Sequence, residues 1–192
     1  MKVPFRYQAT EYDCVPTAFT NALLYLFDRK EIPPAVVQKI MLYSLDEENQ
    51  RGTTGEAVLK IMQLLDDNFE LKTCEHLPQE EIHLQQGSQL LSCIDRGGVA
   101  LLRVCKDPMN AIFHYIIALG VDEEDSDWLL FHDPYYRVNP FLGEDGKYIK
   151  LIESNRQGAN LKIRRERLDD YQYEKYSMCG VDERECCLLE RA

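Results

Sequence analysis

Three residues of this chain have the chemistry to break an acyl bond together. Cys14 stands at the expected start of a helix, with Asp13 before it as an N-cap and Pro16 in the first turn, where its missing N–H does no harm. The unpaired N–H groups and dipole of a helix start favour a negative sulfur, and the thiolate is the nucleophilic form. His114 lies near the start of a strand-like run, Phe113 to Val121, and Asp133 closes the next run, Trp128 to His132, just before Pro134. Pairing those runs as antiparallel strands brings Asp133 beside His114. A carboxylate there fixes the imidazole tautomer and stabilises its charged form, so Cys14, His114 and Asp133 read as nucleophile, base and orienter.

Other chemistry-bearing residues compete with this set. His132 is a rival base, but it neighbours Asp133 in a strand, where successive side chains point to opposite faces. His76 and His83 sit in a polar connecting stretch and read as surface residues. Cys74 and His76 suggest a metal pair, yet no third and fourth ligand stand at metal-site spacing, so no metal and no cofactor are expected. Vicinal Cys186-Cys187 fits alternate burial in a strand better than a redox pair. Trp128, Tyr135 and Tyr136 are candidates for lining a substrate groove, against the plainer role of packing at a sheet edge.

The elements that must position these residues change character along the chain. Residues 1–96 read as a helical lobe. In the first helix Phe19, Ala22, Leu23, Leu26 and Phe27 repeat at helical spacing, an apolar stripe strong enough for a central position. A second helix is expected from Pro34 to Ser44 with Val36, Val37, Ile40 and Met41 inward. A third opens at Thr53 or Thr54, with Thr53 and Glu56 as a capping box and Val58, Ile61, Met62 and Leu65 buried. A fourth, Gln86 to Asp95, stops at Gly97-Gly98. Residues 97–192 read as an antiparallel sheet lobe. Val99–Val104 is a strand, and Phe113–Val121 and Trp128–His132 form a hairpin around the acidic turn 122–127. Tyr148–Ile152, Leu161–Ile163 and Glu185–Leu189 are weaker strands. The whole reads as one α+β domain, helical lobe packed on sheet lobe.

Composition narrows the partners. The chain has 192 residues, enough for one core without disulfides or metals. Its 22 basic and 33 acidic residues give a formal net charge of -11, which disfavours nucleic acid and anionic membrane surfaces. The apolar run Ala22–Phe27 falls far short of a membrane span. Lys2 and Arg6 precede no signal-like stretch, because Glu11 and Asp13 interrupt it, so a cytoplasmic protein, or one exported as part of something larger, is expected. Seven cysteines, an odd number with no CxxC, fit that setting.

The string Gln8-Ala-Thr-Glu-Tyr-Asp-Cys14-Val-Pro-Thr-Ala, with His114-Tyr-Ile-Ile-Ala-Leu-Gly120 and Asp133-Pro134 downstream, resembles the active-site pattern of the bacteriocin-processing, double-glycine peptidases and their stand-alone relatives. The likeness runs from about residue 3 to about residue 135. It implies a papain-like fold and a cysteine peptidase acting on a peptide or protein substrate. It also implies that Gln8 donates, with the Cys14 N–H, to the developing oxyanion. The family's glycine after the cysteine is Val15 here, placing that side chain against the substrate backbone. The departure sustains an alternative, a peptidase-like module that binds a peptide segment without cutting it.

Overall fold

Helix α1, Cys14–Leu26, is the axis of the structure. Ten consecutive residues, Val15 to Leu24, are buried, so it is covered on every side, as the continuous apolar run demands. The computed structural model describes residues 3–44, 52–153 and 158–192; Lys2 lies outside them. Among the buried residues is Asn21, a polar side chain in mid-helix. Its amide accepts from the Arg6 N–H and donates to the Arg6 carbonyl, both at 2.8 Å. Both amide groups are thereby satisfied, and the segment leading to Gln8 is tied to the helix.

Helices α2 (Pro34–Tyr43) and α3 (Gly55–Asn68) pack beside α1. Val36, Ile40, Val58, Ile61, Met62 and Leu65 join its core cluster. Each such aliphatic side chain contributes on the order of 1.5–3 kcal/mol on leaving water. Met41, expected inward, is exposed, and Val37 is only half-buried, because a ten-residue helix on the periphery has a narrower buried face than its sequence allows. The α3 cap is Thr54, accepting from the Ala57 N–H, and not the Thr53–Glu56 box; Glu56 pairs instead with Lys60. Helix α4, Gln89–Asp95, begins later than Gln86 because Ser88 caps it, and it ends at Gly97, whose φ of +87° suits glycine.

Seven antiparallel strands form one sheet in the order β1-β7-β2-β3-β4-β6-β5. They are β1 Leu71–His76, β2 Val99–Asp107, β3 Ile112–Val121, β4 Trp128–His132, β5 Ile149–Leu151, β6 Leu161–Arg164 and β7 Cys186–Arg191. Strand β1 is an unexpected element within the helical lobe read over residues 1–96: it pairs with β7 along the sheet edge. Tyr148, expected in a strand, ends a short helical turn, α5 (Asp145–Tyr148), so β5 is only three residues long. A second such turn, α6 (Arg165–Leu168), follows β6. Both sheet faces are covered. Tyr115, Ile117 and Leu119 of β3 enter the cluster with α1–α3, while Ile116 and Ala118 enter the one with α4. Among the described residues no helix is long and apolar enough to cross a membrane.

Candidate active site

The α1 N-terminus and the ends of β3 and β4 meet. Cys14 is the first residue of α1 and half-buried. The expected cap is corrected: Asp13 makes no side-chain hydrogen bond to the helix. Its carboxylate turns back and accepts from the Ala9 N–H (2.9 Å), the Thr10 N–H (2.7 Å) and the Thr10 hydroxyl (2.8 Å). Asp13 therefore folds the 8–13 loop. The first-turn N–H groups of α1 have no helical carbonyl to bond; that of Val15, together with the Tyr115 N–H of β3, bears on the Cys14 sulfur.

His114 and Asp133 form the second part. The β3–β4 ladder runs to the pair Ile117–His132; one residue on, the chain turns at Asp133-Pro134. Asp133 Oδ1 then accepts from His114 Nε2 at 2.6 Å. Both side chains are buried, His114 2% and Asp133 3% exposed. Asp133 is fixed on all sides. Oδ1 also accepts from the Tyr135 N–H (2.8 Å), and Oδ2 accepts from the Tyr176 phenol. The Asn160 side chain clamps the Asp133 backbone through the N–H (2.8 Å) and the carbonyl (2.9 Å). With Nε2 engaged, Nδ1 is the imidazole nitrogen left to face Cys14, whose thiol is near enough to influence His114.

The electrostatics follow from these partners. Burial alone would push the Cys14 thiol up; the adjacent His114 imidazole and the two N–H groups outweigh it and hold the thiol below its ordinary value. Burial would likewise push His114 down, but the Asp133 charge and hydrogen bond, with help from Cys14, raise it to about 9. Burial opposes the Asp133 charge too, and His114, Tyr176 and the Tyr135 N–H hold that carboxyl below its usual range. Other cysteines are driven the opposite way by burial: Cys74 and Cys105 reach about 12, Cys93 about 11, and Cys186 and Cys187 lie well above an ordinary thiol.

Gln8 reaches the site through the backbone. Its N–H donates to the Pro134 carbonyl at 2.8 Å, tying the 8–13 loop to the turn that carries Asp133. Its side-chain amide donates one N–H to the Thr10 carbonyl at 2.6 Å, and Oε1 is buried without a partner among the described residues. A carboxamide has two N–H bonds, so a second donor remains. Tyr135 stands edge-on to the His114 ring, centroids 6.4 Å apart. Lys106 lies 4.0 Å over the Tyr135 ring and pairs with Glu11 of the loop at 2.7 Å.

Two expected groove residues do not join the site. Val15 turns its side chain into the core of α1, where a β-branched residue packs well, and offers no surface to a substrate. Trp128 is buried at the opposite end of β4 from Asp133, beneath Lys150, Lys162 and Arg164. Tyr136 is exposed and packs edge-on against Tyr7, with ring centroids 5.0 Å apart. The rival base, His132, gives Nδ1–H to the Gly158 carbonyl (2.8 Å), with Nε2 3.3 Å from the Arg6 carbonyl. Gly158 has φ +87°, and a side chain there would strike the Phe5 ring. Cys74 and His76 have separate partners, the Met62 carbonyl and Glu185. Among the described residues no group of three or more His, Cys, Asp or Glu side chains could hold a metal.

Tyr176, Asn160 and Asn21 were missed by sequence reasoning. They lie 43, 27 and 15 residues from the groups they hold, in loops or mid-helix, and no local pattern marks them. Comparison with protein-family models and with curated proteins finds no match for this chain.

Proposed function

We propose that the protein is a cysteine peptidase, a thiol-dependent amide hydrolase of the papain-like kind. The observation that carries the reading is the pairing of a half-buried thiol, held low, with a buried imidazole kept charged by Asp133. A central buried helix presenting that thiol at its N-terminus to an antiparallel sheet supports the papain-like fold. The resemblance of the Gln8–Pro16 string supports it independently. Val15 was the main reason to prefer a module that binds without cutting. With its side chain in the core, that reason is gone.

In this mechanism the Cys14 thiolate adds to an amide carbonyl carbon. The first-turn N–H of α1 and the remaining Gln8 N–H stabilise the oxyanion where its charge develops. The His114 imidazolium gives its Nδ1 proton to the departing amine nitrogen, and a thioester is left on Cys14. Water attacks the thioester, losing a proton to His114. The C–S bond breaks, the acid product departs, the Cys14 thiolate is regenerated, and the proton stays on His114, restoring the ion pair. Asp133 holds Nε2–H throughout. A peptide or protein is the substrate, and a reducing, cytoplasmic setting suits seven free thiols.

The test is incubation with a proteome-derived peptide mixture, with new termini mapped by mass spectrometry. Wild type should generate termini that Cys14→Ala does not. Peptides retained intact by both proteins would instead establish the binding module.

A further inference from the structure

We propose that Tyr176 is a positioning residue, its phenol donating to Asp133 Oδ2 and so fixing the carboxylate with Oδ1 toward His114. The proposal rests on the peptidase reading and adds to it a group outside the Gln8, Cys14, His114 and Asp133 set.

The geometry argues for a dedicated contact. Asp133 is buried, and three donors occupy its two oxygens: His114 Nε2 and the Tyr135 N–H on Oδ1, the Tyr176 phenol on Oδ2. Without the phenol, Oδ2 would be an unsatisfied buried acceptor. Tyr176 itself is 2% exposed and holds φ +64°, a left-handed conformation uncommon for a residue with a side chain. The surroundings enforce that conformation. The Tyr176 N–H donates to the Cys105 carbonyl (2.7 Å), and the Cys105 N–H to the Ser177 carbonyl (2.9 Å). The Ser177 hydroxyl lies within hydrogen-bond reach of the Gln172 and Glu174 carbonyls, and the Met178 N–H donates to the Leu168 carbonyl at 2.8 Å. Cys105 sits on β2 one residue past Val104, which pairs with His114. The sheet end that presents the imidazole thus also seats the phenol.

A tyrosine that merely filled space would not need its hydroxyl there. The donor matters because it occupies the lone pairs that would otherwise compete for the His114 proton. It also withdraws part of the carboxylate charge, leaving the imidazolium more positive toward Cys14. Arg137 neighbours the phenol, and among the described residues Cys14, His132 and Glu11, with its partner Lys106, also bear on the pair.

The test is the pH dependence of Cys14 alkylation by limiting iodoacetamide on the intact protein, which needs no substrate. In Tyr176→Phe the acid limb should move up by about one pH unit. On that limb this is roughly tenfold slower labelling, with the alkaline plateau unchanged. A purely structural role predicts a lower melting temperature and a superimposable profile, and that result overturns the proposal. Should Tyr176→Phe fail to fold, 3,5-difluorotyrosine installed at 176 decides the matter. It keeps the ring and donates more strongly, so the limb should move to lower pH; an unmoved limb is the contrary result. If Cys14 in wild type labels no faster than the other thiols, the peptidase reading itself fails, and the two failures are distinct.

Discussion

His114 and His132 stand on neighbouring strands, and each is 2% exposed. Burial disfavours the charged ring in both, yet they end on opposite sides of an ordinary histidine. His114 faces a carboxylate and is raised to about 9; His132 faces backbone carbonyls and is lowered by burial. A carbonyl dipole satisfies an N–H but does not repay the desolvation of a full charge, whereas a buried carboxylate does. The histidine that can exchange a proton with a thiol is therefore the one with an anion behind it. The other is a rivet, holding the Arg6 and Gly158 backbones together beneath the Gln8 loop.

The largest expected effect separates the two rings directly. His114→Ala should slow Cys14 alkylation at pH 6 by about 10²–10³-fold, because a thiol without its imidazolium returns to an ordinary or higher value. His132→Ala should leave that rate within about threefold. Equal losses in both variants would break the distinction. Asp133→Asn sharpens it further by making His114 resemble His132, with burial no longer opposed. The His114 ring, followed by NMR, should then be neutral at pH 7, and alkylation at pH 6 should fall by about 10²-fold.

Stability effects come next. His132→Ala leaves the buried Gly158 carbonyl short of its donor and a gap beside Phe5, so it should cost about 1–3 kcal/mol. For a chain of this size that is a melting-temperature drop of about 2–10 °C at pH 7. Asn21→Ala, which frees the Arg6 N–H and carbonyl, should cost about 1–3 kcal/mol in the same assay.

The smallest effect is a difference in pH slope. The folded-state value of His114 is raised, so its stabilisation is fully present below about 6.5, the ordinary histidine value, and is lost as pH rises through about 9. His132 is lowered, so its neutral form stabilises above 6.5, and that contribution declines as pH falls below it. In urea denaturation, His114→Asn should flatten the loss of stability between pH 7 and 10. His132→Asn should flatten the loss on the acid side below 6.5. Unchanged slopes in both variants would contradict the assignment.

What the sequence disclosed follows from how local each signal is. Helix α1 and the β3–β4 hairpin are continuous in sequence, so periodicity located Cys14, His114 and Asp133 together with their elements. Strand β1 was hidden because Leu71–His76 is a polar, partly exposed edge, and its partner β7 lies more than a hundred residues away. Val15 illustrates a different limit. The residue's position beside Cys14 was plain, but the direction of its side chain depends on where the helix faces the core. Asp13 was placed correctly at the helix start, yet its three donors lie behind it in the loop, where the Thr10 side chain competes with the helix for the carboxylate.

The central claim is that one thiol of seven is activated by a charged imidazole. Its most direct test is limiting iodoacetamide on the native protein near pH 6, with every cysteine peptide quantified. Cys14 should carry nearly all the label before the buried thiols acquire any. Label spread across the cysteines, with Cys14 no faster than the others, would contradict the account.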